Sequence, residues 1–174
     1  MDDKFAEILG LLEIKDGRLS SMRQQVVAGC QTRGGPQRML KLFMSKSSLL
    51  CFCGDSFDKV IFCAIETAPF CSMFRAYIYF RLSKYHDTIK SAANAVEYFE
   101  LNAQPVNQAL ALWSLGLALH KMKNHHQARL KLTAAREILE KEIQQGKRYG
   151  KYPEVAHLET LDRRITGLLD QISN

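Results

Sequence analysis

A pattern of small and apolar residues that recurs after forty positions constrains the fold of this chain more than any other feature. Ala76 and Ala95 in the first copy correspond to Gly116 and Ala135 in the second. Repeats with a period of about 20 to 50 residues are typical of stacked supersecondary units, because one unit alone cannot bury its apolar face. The pattern therefore predicts an all-α protein built from helical hairpins that pack against their neighbours.

Helical periodicity and turn residues divide the chain into short elements. Ser20 or Ser21 is expected to cap the second helix, and Pro69 is expected to separate two helices. Residues 1–53 are interpreted as N-terminal helices, degenerate or capping, and residues 54–174 as the repeat region. Turns are predicted at 83–84 and 123–125, and helices over 3–14, 20–30, 37–53, 57–67, 70–82, 85–101, 106–122, 126–145 and 154–172.

The small residues have a physical purpose in this pattern. A glycine inside a helix costs about 1 kcal/mol relative to alanine, so Gly116 predicts a close crossing of two helix axes. Ala76 is expected at the equivalent crossing one unit earlier, and Ala95 and Ala135 at the contact with the following unit.

The second copy of the pattern resembles the tetratricopeptide repeat family. The residues that carry the resemblance are Leu112–Leu119, Ala128, Leu132 and Ala135. The first copy is more degenerate, and the terminal proline of the motif is replaced by Glu100 and Glu140. The forty-residue spacing is similar to that of the long-helix repeats of kinesin light chains. The resemblance implies clear repeats at 70–102 and 109–145, a short right-handed solenoid, and a capping helix at 154–172.

The resemblance also implies a concave groove lined by the first helix of each hairpin. Such a groove would bind a peptide or an amphipathic helix of another protein, including one that carries acidic groups, without catalysis, as in an adaptor or a regulatory subunit. Tyr77 and Leu117 replace the Asn and Lys with which some family members clamp chaperone tails, which disfavours that ligand. The implied groove residues are Met73, Tyr77, Phe80, Arg81, Trp113, Leu117, His120 and Lys121.

Two alternatives to an open groove remain. The aromatic stripe can be core, with the N-terminal helices folded over it, since Phe5, Ile8, Leu9 and Leu12 form one apolar face of the first helix. Two clear repeats are also fewer than the roughly three that stability requires, so a second copy of the chain can complete the stack.

The net charge of +6 raises nucleic-acid binding as an alternative function. Aromatic residues are not interleaved with the cations, and Glu137 and Lys141 form a stabilising i,i+4 pair, so a solvated helix face is the preferred interpretation. Nine of the cations lie in the segment 121–151, namely Lys121, Lys123, Arg129, Lys131, Arg136, Lys141, Lys147, Arg148 and Lys151.

Catalytic, cofactor and metal sites have little support in the sequence. No phosphate-binding loop, nucleophile elbow or zinc-protease motif occurs, and no cofactor is expected. His120, His125 and His126 could form a metal or acid–base cluster with Glu137, but a predicted inter-helix turn explains polar residues at 125 and 126 equally well.

The cysteines and the N-terminus bear on the compartment. Cys51, Cys53, Cys63 and Cys71 lack the paired spacing of zinc knuckles, and together with Cys30 they are interpreted as reduced thiols. The acidic start of the chain lacks the features of a secretory signal or a transit peptide, and charged residues and Pro69 interrupt the longest apolar run. A cytoplasmic location without a membrane segment is therefore expected.

Overall fold

A computed structural model describes residues 4–44 and 57–173 of the chain. These residues form α-helices and contain no strand, which confirms the all-α class. Within this part of the chain, no helix combines the length and the hydropathy needed to span a membrane. The helices are α1 (Lys4–Leu11), α2 (Gly17–Gln31), α3 (Gly35–Met44), α4 (Phe57–Arg81), α5 (Tyr85–Leu101), α6 (Pro105–Lys121), α7 (His125–Arg148) and α8 (Tyr152–Ser173).

From α4 onward, each helix packs along the helix that follows it, so that α4, α5, α6, α7 and α8 form a continuous row. Upstream, α2 and α3 pack against each other and against α4. The central helix α6 is apolar on nearly all sides and every residue from Ala109 to Ala118 is buried. A helix that is apolar all round requires neighbours on every face, and α6 therefore forms the centre of the core.

The turns between these helices repeat one backbone geometry at an interval of twenty residues. Ser83, Ala103 and Lys123 have positive φ angles of 57°, 51° and 60°. In the first turn, the N–H of Lys84 donates to the carbonyl of Tyr79 at 2.9 Å, and the other two turns contain the equivalent bond. This is the Schellman arrangement that ends many helices. The turns therefore lie within about one residue of the predictions at 83–84 and 123–125, with His125 already in α7.

Gly116 lies where α6 and α7 approach closely, as predicted. A Cβ atom on Gly116 would lie 2.7 Å from Cγ of Leu132 on α7, so α6 and α7 could not keep their present separation with a larger side chain. Ala76, Ala95 and Ala135 are each 0% exposed. Close packing therefore explains Gly116, and the three alanines lie in the buried core.

The prediction of two helices over 57–67 and 70–82 is wrong, because α4 runs continuously through Pro69. A proline inside a helix removes one backbone hydrogen bond and costs about 3 kcal/mol. Here the following turns hold the helix in place: Met73 and Phe74 are 0% exposed, and α4 packs against α5, α3 and α2. Burial on several sides outweighs the local preference of proline.

The start of α2 also differs from its prediction. Asp16 caps this helix in place of Ser20 or Ser21, since its carboxylate accepts hydrogen bonds from the N–H groups of Arg18 at 2.6 Å and Leu19 at 3.2 Å. The helix therefore begins at Gly17, earlier than expected. Of the helix predicted over 37–53, the portion 45–53 lies outside the described residues.

Candidate functional site

The N-terminal helix α1 packs against α4 and α6, on the faces that were predicted to line a groove. Phe5, Ile8 and Leu9 are 0% exposed. The ring of Phe5 lies 5.7 Å from the ring of Tyr77 and 5.1 Å from that of Phe80, measured between centroids. The apolar face of α1 thus covers the aromatic stripe of α4, and the alternative in which an N-terminal helix folds over this stripe describes the structure.

A buried asparagine holds the segment that follows α1. The backbone N–H of Glu13 donates to Oδ1 of Asn107 on α6 at 2.8 Å, and Nδ2 of Asn107 donates to the carbonyl of Glu13 at 3.4 Å. A further bond of 2.9 Å joins Nδ2 to Oε1 of Gln104. Asn107 is only 2% exposed, and a buried amide without partners would be costly. The backbone of Glu13 supplies two of these partners.

An arginine from α2 donates hydrogen bonds to the backbone carbonyls at the C-terminal end of α1. Nη1 of Arg23 lies 3.2 Å from the carbonyl oxygens of Leu9 and Gly10 and 3.3 Å from that of Leu12. The last carbonyls of a helix lack partners within the helix and carry partial negative charge. Arg23 therefore stabilises α1 in its docked position and ties it to α2.

These contacts fix the direction of α1 relative to α6. Glu13 lies at the N-terminal end of α6 through Asn107, whereas Lys4 is close enough to His120, at the C-terminal end of α6, to affect its pKa. The two helices are therefore antiparallel. On the far side, Glu7 forms an ion pair with Arg164 of α8. We use the term groove for the surface of α4, α6 and α8 that α1 covers.

The structure places the predicted groove residues at three depths. Met73, Tyr77, Trp113 and Leu117 are buried, Phe80 and His120 are half-buried, and Arg81 and Lys121 are exposed. The first four residues belong to the hydrophobic core, in which Tyr77 contacts Phe5 of α1, whereas the last two are exposed. Whether any of the eight residues contacts another protein stays a prediction.

Trp113 lies in the middle of α6 and combines burial with an unsatisfied polar atom. Its side chain is 2% exposed, and its Nε1 has no hydrogen-bond partner among the described residues. Buried indole N–H groups usually find an acceptor. Its burial also means that Trp113→Ala would leave a large cavity at a cost of about 3 to 5 kcal/mol, so this substitution tests stability before it tests binding.

The edge of the groove near the N-terminus of α1 is rich in cationic groups. Nδ1 of His120 lies 3.3 Å from Nδ1 of His125. Burial lowers the pKa of His120, and the charges of His125, Lys121 and Lys4 lower it further. On α4, Nη1 of Arg81 lies 3.4 Å from the hydroxyl of Tyr77, the ring that Phe5 contacts. We call Arg81 and Lys121, together with the neighbouring imidazoles of His120 and His125, the cationic rim, since the first two carry its permanent charge.

The histidines and cysteines show no arrangement for metal binding in the residues that the structure describes. His125 and His126 are exposed, and they lie in the first turn of α7 and not in the inter-helix turn that was predicted for them. Cys30 and Cys71 are buried thiols. Cys51 and Cys53 lie outside the described residues.

The basic segment 121–151 is partly neutralised by α8. The guanidinium of Arg136 lies 3.1 Å from Asp162 and 3.0 Å from Glu140, and the hydrogen bond to Asp162 is the main reason why the pKa of Arg136 is raised. Lys147 pairs with Glu159 at 2.8 Å, and this contact lowers the pKa of Glu159. The cations of α7 that face α8 therefore hold the two helices together.

A cleft of about 1110 Å³ lies at the end of the molecule opposite the cationic rim. Its walls come from the segment after α1, the α5–α6 turn and the α7–α8 turn, and they include Glu13, Asn107, Tyr149 and His157. Tyr149 is 78% exposed. The walls mix acidic, basic and apolar side chains and single out no ligand chemistry.

Sequence reasoning missed the residues that hold α1 in place, namely Arg23, Asn107 and Arg164. A signal existed for Asn107, because it lies near the start of the apolar helix α6, where a buried amide needs a partner. Arg23 and Arg164 lie on ordinary polar helix faces and gave no signal.

No known family model, curated protein or solved structure matches this chain.

Proposed function

We propose that this protein is a non-catalytic interaction module whose groove binds an amphipathic helix of another protein, and that α1 occupies this groove in the isolated chain. The main observation that supports this proposal is the docking of α1 on the groove. An amphipathic helix with apolar residues at Phe5, Ile8 and Leu9 fits the groove well enough to bury all three completely. Helix-in-groove recognition uses the same spacing of apolar anchors.

The energy of this contact supports exchange between α1 and a partner. Burying four large apolar side chains, the three named above and Leu12, contributes about 6 to 12 kcal/mol. Ordering residues 4–13, which carry these side chains and hydrogen bonds, costs about 10 to 20 kcal/mol of backbone entropy. The hydrogen bonds of Asn107 and Arg23 add about 1 kcal/mol each. The opposing terms are of similar size, and we infer that a competing helix can displace α1.

The finer architecture is part of the proposal. We infer a short right-handed stack of tetratricopeptide-like hairpins, α4 with α5 and α6 with α7, in which α8 acts as the capping helix. The equal turns at Ser83, Ala103 and Lys123 and the close crossing at Gly116 support this arrangement. In such a stack the first helix of each hairpin lines one face, which is the face that α1 covers.

Nucleic-acid binding by segment 121–151 is the weaker candidate. Arg136, Lys147 and Lys151 engage carboxylates of α7 and α8, which reduces the charge available for phosphates. Such binding would fall steeply with added salt, whereas binding in an apolar groove would respond weakly.

The test uses the full chain with α1 released and a helix offered in trans. Phe5→Asp places a charge in the apolar contact with Tyr77 and Phe80 and should undock α1. A fluorescently labelled peptide of residues 1–16 should then bind this variant, as measured by anisotropy, and should bind the wild-type chain far more weakly because α1 competes. Gln25→Asp, on an exposed site of α2, provides a matched control that should behave like wild type.

A scrambled peptide of the same composition controls for nonspecific hydrophobic binding. Circular dichroism and thermal unfolding establish that the Phe5→Asp chain remains folded. A folded variant that binds neither the natural peptide nor any other amphipathic helix would contradict the proposed function.

A further inference from the structure

The contacts of α1 reveal which of its features fit the groove and which do not. Its apolar face and Glu7 are matched, because the first is buried and the second pairs with Arg164. Lys4 pairs with no carboxylate in the part of the chain that the structure describes. It lies at the end of α1 next to the cationic rim, where burial is the main cause that lowers the pKa of His120 and the charges of His125, Lys121 and Lys4 lower it further.

The position of the cationic rim follows from geometry as well as from charge. The ring of Phe5 lies 5.7 Å from that of Tyr77, and the hydroxyl of Tyr77 lies 3.4 Å from Nη1 of Arg81. The first turn of α1 therefore sits beside Arg81 on α4 and beside His120 on α6. Any helix that replaces α1 in the same direction places its own first turn there.

Two further features make α1 a weak occupant. Gly10 lies in the last turn of α1, and a Cβ atom there would meet nothing within 4 Å, so no packing requirement explains the glycine. A helical glycine costs about 1 kcal/mol relative to alanine. In addition, α1 has 8 residues whereas α6 has 17, or about 12 Å against about 25 Å. A longer helix without this glycine would cover more of α6.

We propose that the partner that binds in the groove is an amphipathic helix antiparallel to α6; this inference rests on the proposed function. The partner helix carries an acidic residue in its first turn, at the position that Lys4 has in α1. It carries large apolar residues at the positions of Phe5, Ile8 and Leu9, and a second acidic residue at the position of Glu7. Acidic groups in the first turn would face the cationic rim and would also favour the helix dipole. Lys4 keeps α1 a poorer ligand than this partner.

The test compares peptides that differ at one position. Peptides of residues 1–16, with the natural sequence, with Lys4→Glu or with Glu7→Arg, are titrated into the full-length Phe5→Asp chain at low and high salt. The Lys4→Glu peptide should bind about threefold to tenfold more tightly than the natural peptide at low salt. This difference should shrink at high salt because the groups are exposed to solvent.

Reversing charges on the protein tests the same assignment. The Glu7→Arg peptide should bind about threefold to tenfold more weakly than the natural peptide, and Arg164→Glu should restore its binding. Lys121→Glu should reduce or invert the preference for Lys4→Glu. If Phe5→Asp prevents folding, the milder Phe5→Ala and Ile8→Ala variants replace it.

The outcomes separate this inference from the proposed function. If the natural and Lys4→Glu peptides bind equally, the acidic first turn is wrong and the groove function stands. If a folded variant binds no peptide, the groove function itself fails. If light scattering shows the wild-type chain to be a dimer in which α1 is exchanged between copies, the occupant is a second copy and the proposed partner is overturned.

Discussion

The backbone N–H of Glu13 donates a 2.8 Å hydrogen bond to Oδ1 of Asn107, a residue 94 positions later in the chain. Asn107 returns a bond of 3.4 Å to the carbonyl of Glu13. Because Asn107 is 2% exposed, water cannot readily replace these bonds. The pair joins the segment after α1 to α6, the central helix, and so fixes the position of the C-terminal end of α1 on the groove.

Asn107→Ala should therefore loosen α1. Removing the amide leaves the N–H of Glu13 without its acceptor, and we expect the free energy of unfolding to fall by about 1 to 3 kcal/mol. Hydrogen exchange at Glu13 and in α1 should accelerate. Asn94→Ala, at an exposed site of α5, should change stability by less than about 0.5 kcal/mol. If the hydrogen-exchange protection of α1 is unchanged in Asn107→Ala, the hydrogen bonds between Glu13 and Asn107 have no role in docking α1.

Two glycine substitutions should change stability in opposite directions. Gly116→Ala places Cβ 2.7 Å from Cγ of the fully buried Leu132 and should destabilise the chain by about 1 to 3 kcal/mol. Gly167→Ala on α8 meets nothing within 4 Å and should stabilise it by about 0.5 to 1 kcal/mol. Urea unfolding measures both. A neutral or stabilising Gly116→Ala would mean that α6 and α7 cross less closely than described.

The repeated turns predict stabilising substitutions. Ser83 and Lys123 adopt φ angles of 57° and 60°, a region in which side chains other than glycine are strained by about 1 to 2 kcal/mol. Ser83→Gly and Lys123→Gly should each raise the midpoint of thermal unfolding, by an amount equivalent to about 1 kcal/mol. Gly150→Ala, at φ 70°, should lower it. If the glycine substitutions lowered the midpoint of thermal unfolding and Gly150→Ala raised it, the assigned turn geometry would be contradicted.

His120 should make stability depend on pH. Burial, followed by His125, Lys121 and Lys4, lowers its pKa from 6.5, so the unfolded chain binds the proton more readily than the folded one. The contribution of His120 to stability is complete above the unfolded pKa, near pH 6.5, and decreases as pH falls towards the folded pKa. Urea unfolding between pH 5 and 8 should show this decrease in wild type and a smaller one in Lys4→Glu. Identical pH profiles for wild type and His120→Gln would refute the assignment.

Local patterns were sufficient to predict the helices from α5 to α8. Apolar spacing, together with small residues at Ala95 and Ala135, placed them within a few residues of their observed bounds, because each helix packs against its sequence neighbour and the signal stays local. The predicted break at Pro69 is wrong because the local cost of a proline is outweighed by the burial of Met73 and Phe74, which only the tertiary structure supplies.

The occupant of the groove could not be predicted in the same way. The stripe of Phe5, Ile8 and Leu9 indicated that α1 buries one face, but many surfaces could have received it. Its position depends on Asn107 and Arg164, which lie far away in sequence. Such long-range pairs leave no periodic trace in a single sequence.

Native-state hydrogen exchange of the wild-type chain at increasing urea concentrations tests most directly whether α1 is a displaceable occupant of the groove. We predict that the amides of Ile8 and Leu9 exchange through an opening with a lower free energy and a weaker urea dependence than the amides of Leu110 and Trp113 in α6. If α1 and α6 exchange with the same free energy and the same urea dependence, α1 is a permanent part of the core and the groove is not a binding site.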